Sequence, residues 1–251
     1  MIRCGSIRVA CVLVVLLVTG CVKIDSTMDV AADGSGTWRV VYAMPVHMIR
    51  QIETTRDMVK ELDRSGQGVK RSLSNRTADL PYLFDESAVR ERFKALDSQG
   101  IMLTKLQTRS QGGWRYVDFT VKFTRLETLI NQPFFDPCGF SVSGAGTATC
   151  KLVVSLPDMG PPGDLPNLDD ATVSARVTPF MNGLRVTARI GVPGEIRNSN
   201  SSSSDGKRAV WEWDFDNDAR VLARLAQEKI VMVFDGTGVR LRDFTKTAAR
   251  E

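Results

Sequence analysis

Trp114-Arg115-Tyr116-Val117-Asp118-Phe119-Thr120-Val121-Lys122-Phe123-Thr124 puts Val117, Phe119, Val121 and Phe123 on one side and Tyr116, Asp118, Thr120 and Lys122 on the other. A period of two is the pattern of a β-strand with one face on a core and one in water. Ser110-Gln111-Gly112-Gly113 precedes it, and residues 101–108 form another extended run, so 101–124 reads as a hairpin. Hairpins recur on both sides of it. Residues 22–30 and 37–44 flank the turn Ala32-Asp33-Gly34-Ser35-Gly36, and residues 138–156 fold back near Gly144-Ala145-Gly146. Further strands are expected over 173–177, 184–190, 210–215 and 230–234.

Helical periodicity fills part of the remainder. Residues 46–63 place Met48, Ile49, Ile52, Val59 and Leu62 on one side. Asp85 stands as the N-cap of a second helix bearing Ala88, Val89, Phe93 and Leu96, which Gly100 stops. A short helix over 126–131 ends before Pro133, and a last one starts at Asn217 or Asp218 and carries Val221, Leu222, Leu225 and Ala226. The expected fold class is α+β: antiparallel β-hairpins in one or two sheets, with three to four amphipathic helices packed on one side. Residues 21–238 read as a single domain, with a possible internal boundary in the Pro/Gly/Asp-rich stretch 158–170. The Asn/Ser run 198–204 reads as a mobile loop tip, and 239–251 as a polar, frayed tail.

The N-terminus carries a different signal. Arg3 and Arg8 precede Val9-Ala10-Cys11-Val12-Leu13-Val14-Val15-Leu16-Leu17-Val18. Ten such residues reach about 15 Å as a helix, half of a ~30 Å hydrocarbon core, the dimension of a signal-peptide h-region rather than a membrane span. Val18-Thr19-Gly20-Cys21 then matches the bacterial lipobox, with cleavage between Gly20 and Cys21. Residues 1–20 are thus a lipoprotein signal peptide, and Cys21 receives diacylglycerol on its thiol and a further acyl chain, such as palmitate, on its amine. Two or more chains hold a protein on a bilayer far more firmly than one. Val22 rather than Asp follows Cys21, so a Gram-negative host sorts the protein to the outer membrane. The expected location is the extracytoplasmic face of the cell envelope.

Of five cysteines, Cys4 and Cys11 leave with the signal and Cys21 is lipidated, leaving Cys138 and Cys150. Their midpoint is Gly144, so a hairpin folded there sets them opposite each other. A non-hydrogen-bonded pair, with Cα atoms about 4.5 Å apart, falls within disulfide reach. A Cys138–Cys150 bridge worth roughly 3 kcal/mol is therefore expected in an oxidising compartment.

Charge and chemistry exclude more than they assign. With 33 Lys+Arg against 29 Asp+Glu the net charge is +4, and it falls by two with Arg3 and Arg8, too little for a nucleic-acid partner. His47 is the only imidazole, so His-rich metal sites are excluded by count, and no catalytic set, metal site or cofactor motif is evident. Asp214-Phe215-Asp216-Asn217-Asp218 opens like a calcium loop, but Ala219 and Leu225 occupy its sixth and twelfth positions, and an acidic helix start explains it better. Trp211, Trp213 and Phe215 share one face of a strand, either core or a platform for lipid or glycan.

Two blocks resemble a known family. Gly20-Cys21-Val22-Lys23-Ile24-Asp25 leads into Ala32-Asp33-Gly34-Ser35-Gly36, and Gly191-Val192-Pro193-Gly194-Glu195-Ile196 leads through an Asn-rich excursion to Asp205-Gly206-Lys207-Arg208-Ala209-Val210-Trp211-Glu212-Trp213. Together they resemble the LppM-type bacterial lipoprotein domain. The resemblance implies an exported α+β domain with an envelope function, lipid or glycolipid contact, and no catalytic residue to carry over.

The functional expectation is a membrane-anchored, non-enzymatic lipoprotein that binds an envelope component, a lipid or glycolipid or a protein partner. The alternative is an envelope hydrolase using carboxylates that the sequence does not single out. Acylation is directly testable: Cys21→Ser should leave an uncleaved or soluble precursor that no longer partitions into Triton X-114, and unchanged partitioning overturns the anchor.

Overall fold

The computed structural model describes residues 22–64, 81–136, 138–156, 183–218, 221, 224–225 and 228–248. Residues 1–21, with the expected signal peptide, Gly20 and Cys21, lie outside the described residues, as do 158–170 and the strand expected at 173–177. Twelve strands are described: β1 (Lys23–Val30), β2 (Gly36–Pro45), β3 (Ile101–Gln111), β4 (Trp114–Phe123), β5 (Gly139–Ser143), β6 (Cys150–Ser155), β7 (Arg185–Gly191), β8 (Ile196–Ser199), β9 (Ser203–Asp205), β10 (Arg208–Asp214), β11 (Lys229–Phe234) and β12 (Phe244–Lys246). They form a seven-stranded sheet, in the order β3-β4-β2-β1-β7-β10-β9, and a five-stranded sheet, β12-β5-β6-β11-β8. Among the described residues the α-helices are α1 (Val46–Arg64), α2 (Glu86–Lys94) and α3 (Leu126–Ile130). The fold is mainly β, with fewer helices than the expected three to four amphipathic ones; α3 has five residues.

The period-two reading of 114–124 is borne out, since Val117, Phe119, Val121 and Phe123 are all buried. The first hairpin is also as expected, and β1 starts at Lys23 with Val22 fully buried before it. The α2 helix begins as the sequence indicates, its N-cap Asp85 accepting from the Ser87 and Ala88 amides at 2.8 and 3.3 Å. Gly100 stops it one 3₁₀ turn later at φ 79°, where a side chain is strained.

The sheets are not built from hairpins alone. β1 pairs with β7 in parallel, from Lys23↔Arg185 to Asp29↔Gly191, an arrangement that needs a long crossover and that local pattern does not reveal. β7 continues through Val192-Pro193-Gly194-Glu195 into β8 of the other sheet. At Gly194 a Cβ would lie 1.8 Å from the Asp235 carbonyl oxygen, so only glycine allows the chain past the end of β11. There Ile196 N–H donates to the Gly206 carbonyl of the first sheet, and Asp235 N–H donates to the Glu195 carbonyl of the second, both at 2.8 Å. The Pro-Gly-Glu block is the seam between the two sheets.

Three expectations are corrected. The Asn/Ser run 198–204 is not a loop tip: β8 and β9 occupy most of it. Asn200 takes the place of a missing strand partner, its side-chain oxygen accepting from the Val231 amide (2.9 Å) and Trp211 Nε1 (3.0 Å) and its Nδ2 donating to the Lys229 carbonyl (2.6 Å). Residues 239–248 are not a frayed polar tail. Val239 is buried, β12 pairs with β5, and Lys246 Nζ donates to the Ile130 carbonyl at 2.6 Å, so the segment closes an edge of the smaller sheet.

The third correction concerns the cysteines. β5 and β6 pair from Gly139↔Ser155 to Ser143↔Lys151, about a midpoint at residue 147 rather than Gly144. This register sets Phe140 against Val154 and Val142 against Leu152, all four buried, whereas a turn about Gly144 would oppose them to Ala148 and Gly146. Inner-face packing selects the register. Cys138 and Cys150 therefore lie at opposite ends of the ladder, six residues apart along the strands, or about 20 Å at ~3.3 Å per residue. A disulfide reaches ~7 Å between Cα atoms. Both cysteines are free and buried, and burial pushes the Cys138 thiol up to about 12 and the Cys150 thiol to about 11.

Two outcomes are expected. Without reductant, iodoacetamide at pH 8 should modify neither thiol in the native protein and both after unfolding; a bridged Cys138–Cys150 peptide overturns the register. Asn200→Ala should strip partners from three groups and lower stability by about 1–3 kcal/mol in chemical denaturation; an unchanged midpoint overturns the bridging role.

Candidate functional site

Between the inner face of the seven-stranded sheet, α2 and the inner face of the five-stranded sheet lies a cavity of about 420 Å³. Small-molecule sites span roughly 300–1,000 Å³. Strand alternation builds one wall: Ile24, Ser26 and Met28 of β1, Trp38, Val40 and Tyr42 of β2, and Val186, Ala188 and Ile190 of β7. Phe140 of β5, Leu152 and Val154 of β6 and Ile230 of β11 form the facing wall. Helix periodicity supplies the third side, because Ala88, Val89, Arg92 and Phe93 share one face of α2.

Aromatic contacts brace the walls. Trp38 meets Phe119 edge-on at 5.5 Å between ring centroids and Phe135 at 4.8 Å, Phe135 meets Phe140 edge-on at 5.4 Å, and Phe93 meets Phe134 at 5.5 Å. This series joins the first sheet to the second through the 3₁₀ turn Pro133–Phe135. Such pairs contribute ~0.5–1.5 kcal/mol each beyond the area they bury.

The polar groups of the lining are largely spent on the protein itself. Trp38 Nε1 donates to Ser26 Oγ at 2.9 Å, Trp213 Nε1 donates to Glu228 Oε2 at 2.9 Å, and the Tyr42 hydroxyl donates to the Leu83 carbonyl. Burial pushes the Tyr42 phenol well above its ordinary value, against a smaller opposing effect of the Arg92 charge, so it stays a neutral donor. Arg189 is held by Asp25. Arg92 differs: it is half-buried, its guanidinium lies 6.0 Å from the Phe134 ring centroid, and no carboxylate of the described residues forms an ion pair with it. Among the described residues, no Asp, Glu or His lines the cavity. Among the described residues, the carboxyl groups with a resolved shift all lie below their ordinary value: Asp33 through Ser35, Asp85 through Ser87, Asp118 through Arg39 and Asp235 through Thr237.

The structure places the sequence candidates as follows. Trp211, Trp213 and Phe215 are core, at 1%, 1% and 5% exposure, and Trp213 also lines the cavity. His47 is exposed at the start of α1. The acidic run forms a turn: Asp214 accepts from the Asp216 amide at 3.0 Å and from Asn217 Nδ2 at 3.0 Å, and Asp216 accepts from the Gly183 amide at 2.8 Å. The cavity itself is not legible in the sequence, and Arg92 reads there as part of a solvated face. One signal was present: Arg92 interrupts the apolar stripe of α2, lying three residues after Val89 and four after Ala88.

No family model and no curated protein matches the chain. Among solved structures, the folded domain of LppM from Mycobacterium tuberculosis, determined by NMR, is similar over 86% of this chain and 91% of that one. The two share 8% sequence identity at a TM-score of 0.42.

Proposed function

We propose that the chain is an envelope lipoprotein, anchored through acylated Cys21, whose domain holds the hydrocarbon part of an envelope lipid or glycolipid between its two sheets without chemically transforming it. The observation that carries this reading is the cavity. Its volume of about 420 Å³ lies in the range of small-molecule sites and its lining is almost wholly apolar. An acyl chain suits that lining, because it makes contacts to Met28, Val40, Leu152 and Ile190 along its length and takes its own apolar surface out of water. Arg92, which forms no ion pair with the described residues, fits an anionic or hydroxyl-rich head group.

Among the described residues no helix is long and apolar enough to cross a membrane, and in this reading the acyl chains on Cys21 supply the attachment. A lining free of carboxylates supports holding a ligand over hydrolysing it.

Native mass spectrometry of the mature, detergent-extracted protein should show a bound species in the mass range of a lipid. Ala188→Phe fills the cavity from β7 and should remove that species while thermal stability is kept or raised. Arg92→Gln should shift the bound population toward lipids without an anionic head. A wild-type protein without any lipid adduct overturns the proposal, as does equal loading of Ala188→Phe.

A further inference from the structure

The outer face of the seven-stranded sheet is charged, and most of its charges are matched. Arg39 and Lys105 share Asp118 at 3.0 and 2.7 Å, Arg189 holds Asp25, and Arg208 holds Asp29 at 2.6 Å. The end of the sheet where β1 begins is different. Strand register there lines up Arg109, Tyr116, Ala43, Lys23 and Arg185 in one row across β3, β4, β2, β1 and β7. All five lie on the outer face, and Trp114 shares it at the tip of β4. Lys23, Arg109 and Arg185 are exposed. Lys23 and Arg109 make no ion pair with the described residues, and Arg185 reaches Asp214 only at 3.9 Å. Lys23 Nζ sits 4.4 Å from the Trp114 ring centroid and the Arg109 guanidinium 4.8 Å from that of Tyr116.

Covalent geometry sets this row beside the anchor. Two residues span at most ~7 Å, so the Cys21 backbone lies within that distance of Lys23 whatever its conformation. β1 is a central strand, bonded to β2 and β7, and Arg185 N–H donates to the Val22 carbonyl at 3.1 Å, so a rigid sheet rather than a tether follows the lipidated residue.

We propose that this end of the outer face, Lys23, Arg109 and Arg185 with Trp114 and Tyr116, is a membrane-contact surface that binds anionic phospholipid head groups beside the acylated Cys21. The cations are attracted to the negative charge of the lipid phosphates. Trp114 and Tyr116, both half-buried, are the side chains that settle at the head-group level of a bilayer. The contact fixes the orientation of the domain, with the sheet end down. It rests on the anchoring of Cys21 but not on the cavity holding lipid.

The test uses the mature acylated protein in liposomes of phosphatidylcholine alone and of phosphatidylcholine with 30% phosphatidylglycerol (about 30% anionic lipid, enough to create a negative surface). A membrane-impermeant N-hydroxysuccinimide ester labels exposed lysines, read by mass spectrometry. Lys122, exposed on the same face six residues along β4 from Tyr116, is the internal reference, about 20 Å away and beyond a Debye length. Labelling of Lys23 relative to Lys122 should fall severalfold in the anionic liposomes and recover in 0.5 M salt. The double variant Arg109→Gln, Arg185→Gln should lose most of that difference. Equal Lys23 labelling in both liposomes, with the protein afloat on each, overturns the surface alone. Failure to float on neutral liposomes overturns the anchor and the surface with it, leaving the cavity reading untouched.

Discussion

The parallel pairing of β1 with β7 is the contact on which the rest of the molecule depends. It bonds the first strand of the domain to a strand more than 150 residues later, and so joins the hairpins of the N-terminal half to β10 and β9. Without it, β1 would be an edge, and the wall formed by Ile24, Val40, Val186 and Ile190 would be two half-sheets with water between them. Seven aligned residue pairs supply the ladder, and the inner side chains of both strands supply the burial that offsets closing so long a loop.

From that pairing the two faces acquire different chemistry. The inner face is apolar and shared with the second sheet, and residues of both sheets belong to one hydrophobic cluster. The chain passes between the sheets repeatedly, through the 3₁₀ turn before β5, the Pro-Gly-Glu seam, and the strands β9, β10 and β11, so neither sheet can be removed without breaking the other. The outer face is polar, and its carboxylates reach arginines diagonally on the next strand or, for Asp29 and Arg208, across β7; pairs this exposed contribute little to stability.

Local pattern was a good guide wherever a residue's environment is set by its immediate neighbours along the chain. The first two hairpins, the Asp85 cap, the Gly100 stop and the shared face of Trp211, Trp213 and Phe215 followed from alternation and turn chemistry, while the burial of that face was decided by the packing. Polar composition misled twice. The run 198–204 and the segment after Val239 look like solvent-loving connections, yet Asn200 and Lys246 direct their polar atoms inward to backbone groups that would otherwise lack partners.

By itself the sequence determined the mainly hairpin-built sheets, the caps and turns, the aromatic strand face, and the lipobox motif, because each depends on residues within a few positions of one another. Tertiary structure alone decided the parallel β1–β7 pair, the seam at Gly194, the β5–β6 register that separates Cys138 from Cys150, and the cavity with Arg92 in its lining. Spacing alone points to symmetry about Gly144. The register was fixed instead by which apolar side chains meet on the inner face, and that depends on the sheet packed against them. A cavity is a property of walls that are distant in sequence, and no pattern along one strand records how far away the opposite wall will stand.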